Sequence, residues 1–238
     1  MSLFSLLRSS PPVAAFYSWL HGGRLRIRGP GHRIQLRDSI LRRTKVEVLG
    51  SGCRLTIGPG ARLWDCSITL TGEHAELIIG AGCALRHVRL SVEDRGSRLF
   101  VGADTSITGA TLVSQEGRLL RIGADCMIAQ HAEVRNSDSH AICDDGGRRI
   151  NPPRDVVVGH HVWIGLGACV FKGAHIGDGA MIGAHALVTG EIPRHCVAFG
   201  VPAKPRRTSV HWNRGRDVNG EPVVSASPPS SNAPESSP

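Results

Sequence analysis

Between Val134 and Val158 the chain carries RNSDSHAICDDGGRRINPPRDV, which sets an imidazole, His140, two residues after a carboxylate, Asp138. A histidine exchanges its proton near neutral pH, so its type suits acid–base work. The acid beside it can orient a ring by accepting a hydrogen bond from the other nitrogen, or it can close an Asx turn. His160, His161, His175 and His185 follow in quick succession, but they stand at or near the turns of a regular pattern, where a solvated side chain is the ordinary expectation. The seven cysteines are scattered, odd in number and without a CxxC pair, which argues against a zinc knuckle and against a disulfide framework. They read as reduced, structural thiols.

The elements that would position these groups announce themselves by a period of six. Val158, Ile164, Val170, Ile176, Ile182 and Val188 are each six residues apart, and Ala168, Ala174, Ala180 and Ala186 occupy a small-residue slot four places after an aliphatic. Neither a helix nor one long strand has that period. A chain that runs a short strand, turns a corner and repeats does have it, stacking its aliphatic residues inside a three-sided column. Parallel ladders join successive coils, and the Gly after each aliphatic is expected at the corner for its backbone freedom. Upstream, Ile57, Ile79, Val101 and Ile122 open IG or VG units at intervals of 22, 22 and 21 residues, and these coils are expected to be longer through outward bulges at one corner. GRLRIRG, residues 23–29, is expected to open the stack, and Cys83 and Cys126 fall in the small-residue slot. The pattern breaks once, at the segment holding His140, which must project as a loop; loops on rigid scaffolds commonly carry function.

Composition agrees with one folded unit of this kind. The chain has 238 residues, 41% apolar but only 4% aromatic, with 29 glycines, so small and aliphatic side chains must fill the interior. The formal net charge of +8 suits an anionic ligand or surface, and all but three of the cations (Lys45, Lys172 and Lys204) are arginines. No nucleic-acid motif or stacking platform accompanies that charge, so no nucleic-acid partner is expected. At the N-terminus, LFSLL is broken by Arg8, Pro11 and Pro12, and VAAFYSWL is too short to span a bilayer, which makes a cytoplasmic location the default. That segment either caps the fold, the simpler expectation, or associates peripherally with a membrane. The expected organisation is an N-terminal cap over 1–22, the β-helix over 23–207 with its loop at 136–157, and a C-terminal tail over 208–238, disordered from about 215.

The run NSDSHAI, RRINP, VVVGHHVWIGLGACVFKGAHIGDGAMIGAHALVTGEIP and FGVPAKPRR resembles the hexapeptide-repeat acyltransferases that O-acetylate sugars and polysaccharides, over residues 122–207. The resemblance implies an all-β, left-handed parallel β-helix that assembles as a homotrimer. It also implies transfer of an acetyl or similar acyl group from acetyl-CoA to a saccharide hydroxyl, without a metal. His140 matches the family's general base, which leaves Asp138 beside it with the two readings given above. Leu166 and Ala184 would meet the pantetheine arm through their backbone, Thr189 would lie near the adenine, Trp163 would wall the site, and Lys204 and Arg207 would face the cofactor phosphates. Leu166 stands where some sugar acetyltransferases carry Ser, and Gly190 where many carry Lys. The same scaffold also serves as a non-catalytic interaction protein or a metal-dependent, carbonic-anhydrase-like hydratase; the latter needs three converging histidines, and no such spacing is apparent.

Overall fold

The structure, a computed structural model, describes residue 20 and residues 22–215. The expectations for a cap over 1–22 and a disordered tail therefore fall almost entirely outside the described residues. What is described is a left-handed parallel β-helix of 25 strands that form three sheets. Strands β1 (Arg24–Ile27), β2 (Arg33–Leu36) and β3 (Ile40–Arg42) begin the first, second and third face, and each later coil adds one strand to each. GRLRIRG does open the stack, since β1 pairs in parallel with the strand Lys45–Val48.

The interior is built from columns of aliphatic residues in register. Ile57, Ile79, Val101, Ile122, Val158, Ile176 and Ile192 stand over one another on the second face. Leu63, Leu85, Ile107, Ile128, Ile164 and Ile182 do so on the third, and Ile68, Leu90, Leu112, Val134, Val170 and Val188 on the first. All are buried, so a six-residue step in sequence is one face of the prism. Each such side chain contributes about 1.5–3 kcal/mol by leaving water, which is how so few aromatics suffice.

Two sequence expectations need correcting. The extra length of the early coils does lie at one corner, but as longer strands rather than a bulge. Both Ile68 and Leu70 point inward before the corner between the first and second faces, and both Leu77 and Ile79 after it, where the later coils place one aliphatic per strand. The early prism is wider as a result. The Gly after each aliphatic is also not explained by a left-handed backbone: Gly58, Gly80, Gly102 and Gly123 are absent from the positive-φ positions, which fall two residues further on at Gly60, Gly82, Asp104 and Asp125. What excludes a side chain is the next coil, since a Cβ on Gly102 would lie 2.4 Å from the Ala124 nitrogen.

All seven cysteines are free, and Cys53, Cys66, Cys83, Cys126 and Cys196 are buried. Burial pushes the thiols of Cys83 and Cys126 up to about 11, and each Sγ–H donates to a carbonyl of the neighbouring coil, Gly102 and Gly159 respectively. At its C-terminal end the third sheet is closed by β24 (Cys196–Gly200) and the antiparallel β25 (Ala203–Thr208). Beyond β25 the chain folds back: Trp212 is buried, stacks on His161 at 4.2 Å and donates Nε1–H to the His161 carbonyl. Arg214 bonds Asp125, Ser106 and two backbone carbonyls. His161 is a corner residue, still partly exposed, whose ring is held between Asp125 and the Trp212 carbonyl, at 2.7 and 2.9 Å.

Candidate active site

The loop leaves the prism after β16 (Glu133–Arg135) and returns at β17 (Val156–Val158), at the corner between the first and second faces. It delays the coil, so that Glu133 pairs with Cys169, 36 residues on, where the next coil needs 18. Its outer part is a small hairpin bridged at Cys143 and Arg149, with Ile150 donating its N–H to the Ile142 carbonyl.

Asn151, in the RRINP segment, holds this loop together from a buried position. Its Oδ1 accepts from the Ile142 N–H at 2.7 Å and from Arg149 Nε at 3.2 Å, and its Nδ2 donates to Asp138 Oδ2 and to the His140 carbonyl, both at 2.8 Å. A buried amide with four partners fixes four points of a loop at once. Arg149 grips Glu116 on the preceding coil through both terminal nitrogens, and Ser137 donates to the same carboxylate. The Arg149 guanidinium holds the Glu116 carboxyl below the usual carboxylate range.

His140 sits at the exposed surface of this anchored loop, and its ring has no hydrogen-bond partner among the described residues. Asp138 does not orient that ring. Its carboxylate takes Lys172 Nζ and Asn151, and the Lys172 ammonium, foremost, keeps it below the usual carboxylate range. The reason is local: Ser139 between them has φ 64°, so the alternation that would put residues two apart on one side is lost. Asp138 reaches His140 only through Asn151. Neither Asn151 nor Lys172 stands among the site residues expected from the sequence, although the RRINP motif contained the first.

The expected cofactor residues divide between two places on one chain. Thr189 lies at the corner between the first and second faces, as His140 does, and is exposed. Leu166 and Ala184 occupy successive coils at the corner between the third and first faces, both exposed. Trp163 points outward from the third face, and Lys204 and Arg207 stand exposed on β25 at its end. The first face separates the two groups. It carries a polar groove of about 890 Å³ that ends at Ser139, beside His140. Among the described residues no group of three His, Cys, Asp or Glu is arranged to hold a metal ion.

The three stacked sheets, broken by one projecting loop, form a hexapeptide-repeat β-helix, and comparison with known proteins shows what such a chain is similar to. The chain is 36% identical over 124 residues to the polysialic acid O-acetyltransferase of Escherichia coli O1:K1 / APEC and 30% identical over 136 residues to that of Neisseria meningitidis. These matches cover 52% and 57% of this chain and 40% and 63% of those relatives, so it spans less than two thirds of their length. The solved polysialic acid O-acetyltransferase OatWY superposes with a TM-score of 0.77 at 26% identity, covering 84% of this chain and 95% of the other. The polySia-specific acetyltransferase NeuO gives 0.65 at 26% identity, over 84% and 92%. No family model matches the chain.

Proposed function

We propose that this protein transfers an acetyl or similar acyl group from acyl-CoA to a hydroxyl of a saccharide or polysaccharide, with His140 as the general base. One observation carries the reading: the single loop that interrupts the prism is held by a buried asparagine, yet presents an imidazole with no partner of its own. A base must be fixed in place and free to take the acceptor proton. Attack by the hydroxyl oxygen on the thioester, as His140 takes its proton, builds an oxyanion that backbone N–H groups at the neighbouring corner would stabilise; its collapse breaks the C–S bond, and the imidazolium returns the proton to the departing coenzyme A thiolate. The named activity of the sequence relatives supports the choice of acyl transfer. Lys204 and Arg207 have no carboxylate partner among the described residues, which suits them to phosphates of the donor. Asp138 is a positioning residue, acting on His140 through Asn151.

The site is complete only between copies. If His140 of one chain is to meet Leu166 and Ala184 of another, the two corners flanking the first face must touch in turn, which closes a ring with the first faces turned inward. Both corners expose apolar side chains: Ile142 and Ile150 on the loop, each 56% exposed, and Leu166 and Trp163 on the other side, 43% and 40%. A homotrimer is the reading that suits a three-fold ring of such contacts. A cytoplasmic location belongs to the same reading, since it takes acyl-CoA as the donor.

Release of free coenzyme A thiol, measured with a panel of saccharide acceptors, tests the activity. His140→Ala is expected to keep the native mass and lose turnover by on the order of a hundredfold or more. Normal turnover in that variant would refute the assignment of the base.

A further inference from the structure

The third face carries, on its N-terminal coils, a cluster that the acyl-transfer site does not use. Arg42, Trp64 and Arg86 stand in register on three successive strands, and Arg62 lies two residues before Trp64. The Arg86 and Arg62 guanidinium carbons sit over the Trp64 ring, at 4.7 and 5.8 Å from its centroid. Among the described residues, none of these three arginines pairs with a carboxylate, although Arg43, one residue from Arg42, is paired with Asp65. Arg62 goes further: its Nε is buried without a hydrogen-bond partner.

Guanidiniums on one face repel each other, and the Trp64 ring offsets this for two of them, Arg62 and Arg86. A guanidinium held against an aromatic ring is restrained yet keeps N–H groups for a carboxylate, and here the exposed Arg42 and Arg86 offer theirs to solvent while Arg62 stands partly buried beside them. The rotamer entropy of two long side chains is partly lost before any ligand arrives, which favours binding.

We propose that this Arg42–Arg62–Trp64–Arg86 platform binds an acidic polysaccharide, the same polymer whose hydroxyls are acylated; this rests on the function proposed above and specifies its acceptor as anionic. Arg62 and Trp163 belong to one column of the third face, with Ala84, Ser106 and Met127 between them. Four ladder steps at about 4.8 Å set them roughly 19 Å apart. A polymer held at the platform therefore extends along the prism toward Trp163, passing Arg214, which is bonded to Ser106. A single-stranded nucleic acid fits less well, because its bases need an open ring to stack on and Trp64 is already covered by guanidinium groups.

Equilibrium binding to a labelled sialic acid polymer and to a neutral glucan of equal length, at low and high salt, tests this without turnover. The wild type is expected to bind the acidic polymer alone, with a strong salt dependence. Arg42→Gln/Arg86→Gln, at two exposed positions, should weaken that binding roughly tenfold or more. Trp64→Leu, which keeps every charge but removes the stack, should weaken it less. With a short acceptor the double variant should turn over normally, while KM for the long polymer rises. Equal affinity of double variant and wild type for the polymer would overturn the platform even if acyl transfer is intact. Binding lost in the double variant would support it even if no acyl transfer is found. Tighter binding of single-stranded RNA or of anionic lipid vesicles, lost in the same variant, would overturn the assignment to a saccharide.

Discussion

Asn151 holds the backbone of His140 while leaving its ring unbonded, and the carboxylates of Asp138 and Glu116 secure the loop around it. Asp138 and Glu116 both have their folded pKa lowered, by hydrogen bonds from Lys172 and Arg149 respectively. A group whose pKa falls on folding adds stability above its unfolded value, about 3.9 for Asp and 4.3 for Glu, and loses it as pH falls through the lower folded value. The loop anchors are therefore fully formed at pH 7 and weaken below about pH 4. Backbone NMR signals of residues 138–151 should broaden or shift on acidification before those of the coils. If the coil signals change first or together with them, the carboxylate anchors do not control the loop. Asp138 is exposed and Glu116 partly so, and water screens both pairs, so the effect is local to the loop.

The strands are short, and their stability comes from the stack rather than from any strand by itself. The contact distance between coils is set by glycines such as Gly102, where a Cβ would meet the backbone of the next coil at 2.4 Å. Gly102→Ala is expected to cost about 1–3 kcal/mol, read by chemical denaturation, because the two coils must separate to admit one methyl group. No loss of stability would mean that the stack has slack there. The loop is an element of a different sort. Held by a buried amide and an Arg–Glu pair, it departs from the very corner where the early coils are widest.

For the molecule as a whole, the proposed function divides the site between two corners and so makes assembly part of the chemistry. Light scattering of the purified protein should give three times the chain mass, and Leu166→Glu or Ile150→Glu should lower both the mass and the turnover, since a charge in a desolvated contact is costly. A fully active monomer would show that one chain suffices. On the outer third face, the C-terminal segment binds by Trp212 and Arg214, so residues beyond the last coil belong to the folded unit.

From the sequence alone, the columns Val158 to Val188, the single interruption and the histidine within it are all legible, because in a prism a spacing of six is itself a geometry. The small-residue slots of Cys83 and Cys126 are legible for the same reason, their thiols buried where the period puts them. What the sequence does not decide lies in contacts between residues far apart along the chain. Asp138 bonds Lys172 rather than His140 because a left-handed Ser139 turns the chain between them. His161 is hydrogen-bonded on both ring nitrogens because Trp212, 51 residues later, folds back onto it. Arg62 and Arg86 meet over Trp64 because a coil of 22 residues brings Arg86 beside it. Period fixes which face a residue occupies; only the folded chain decides which neighbours satisfy its charge and hydrogen bonds.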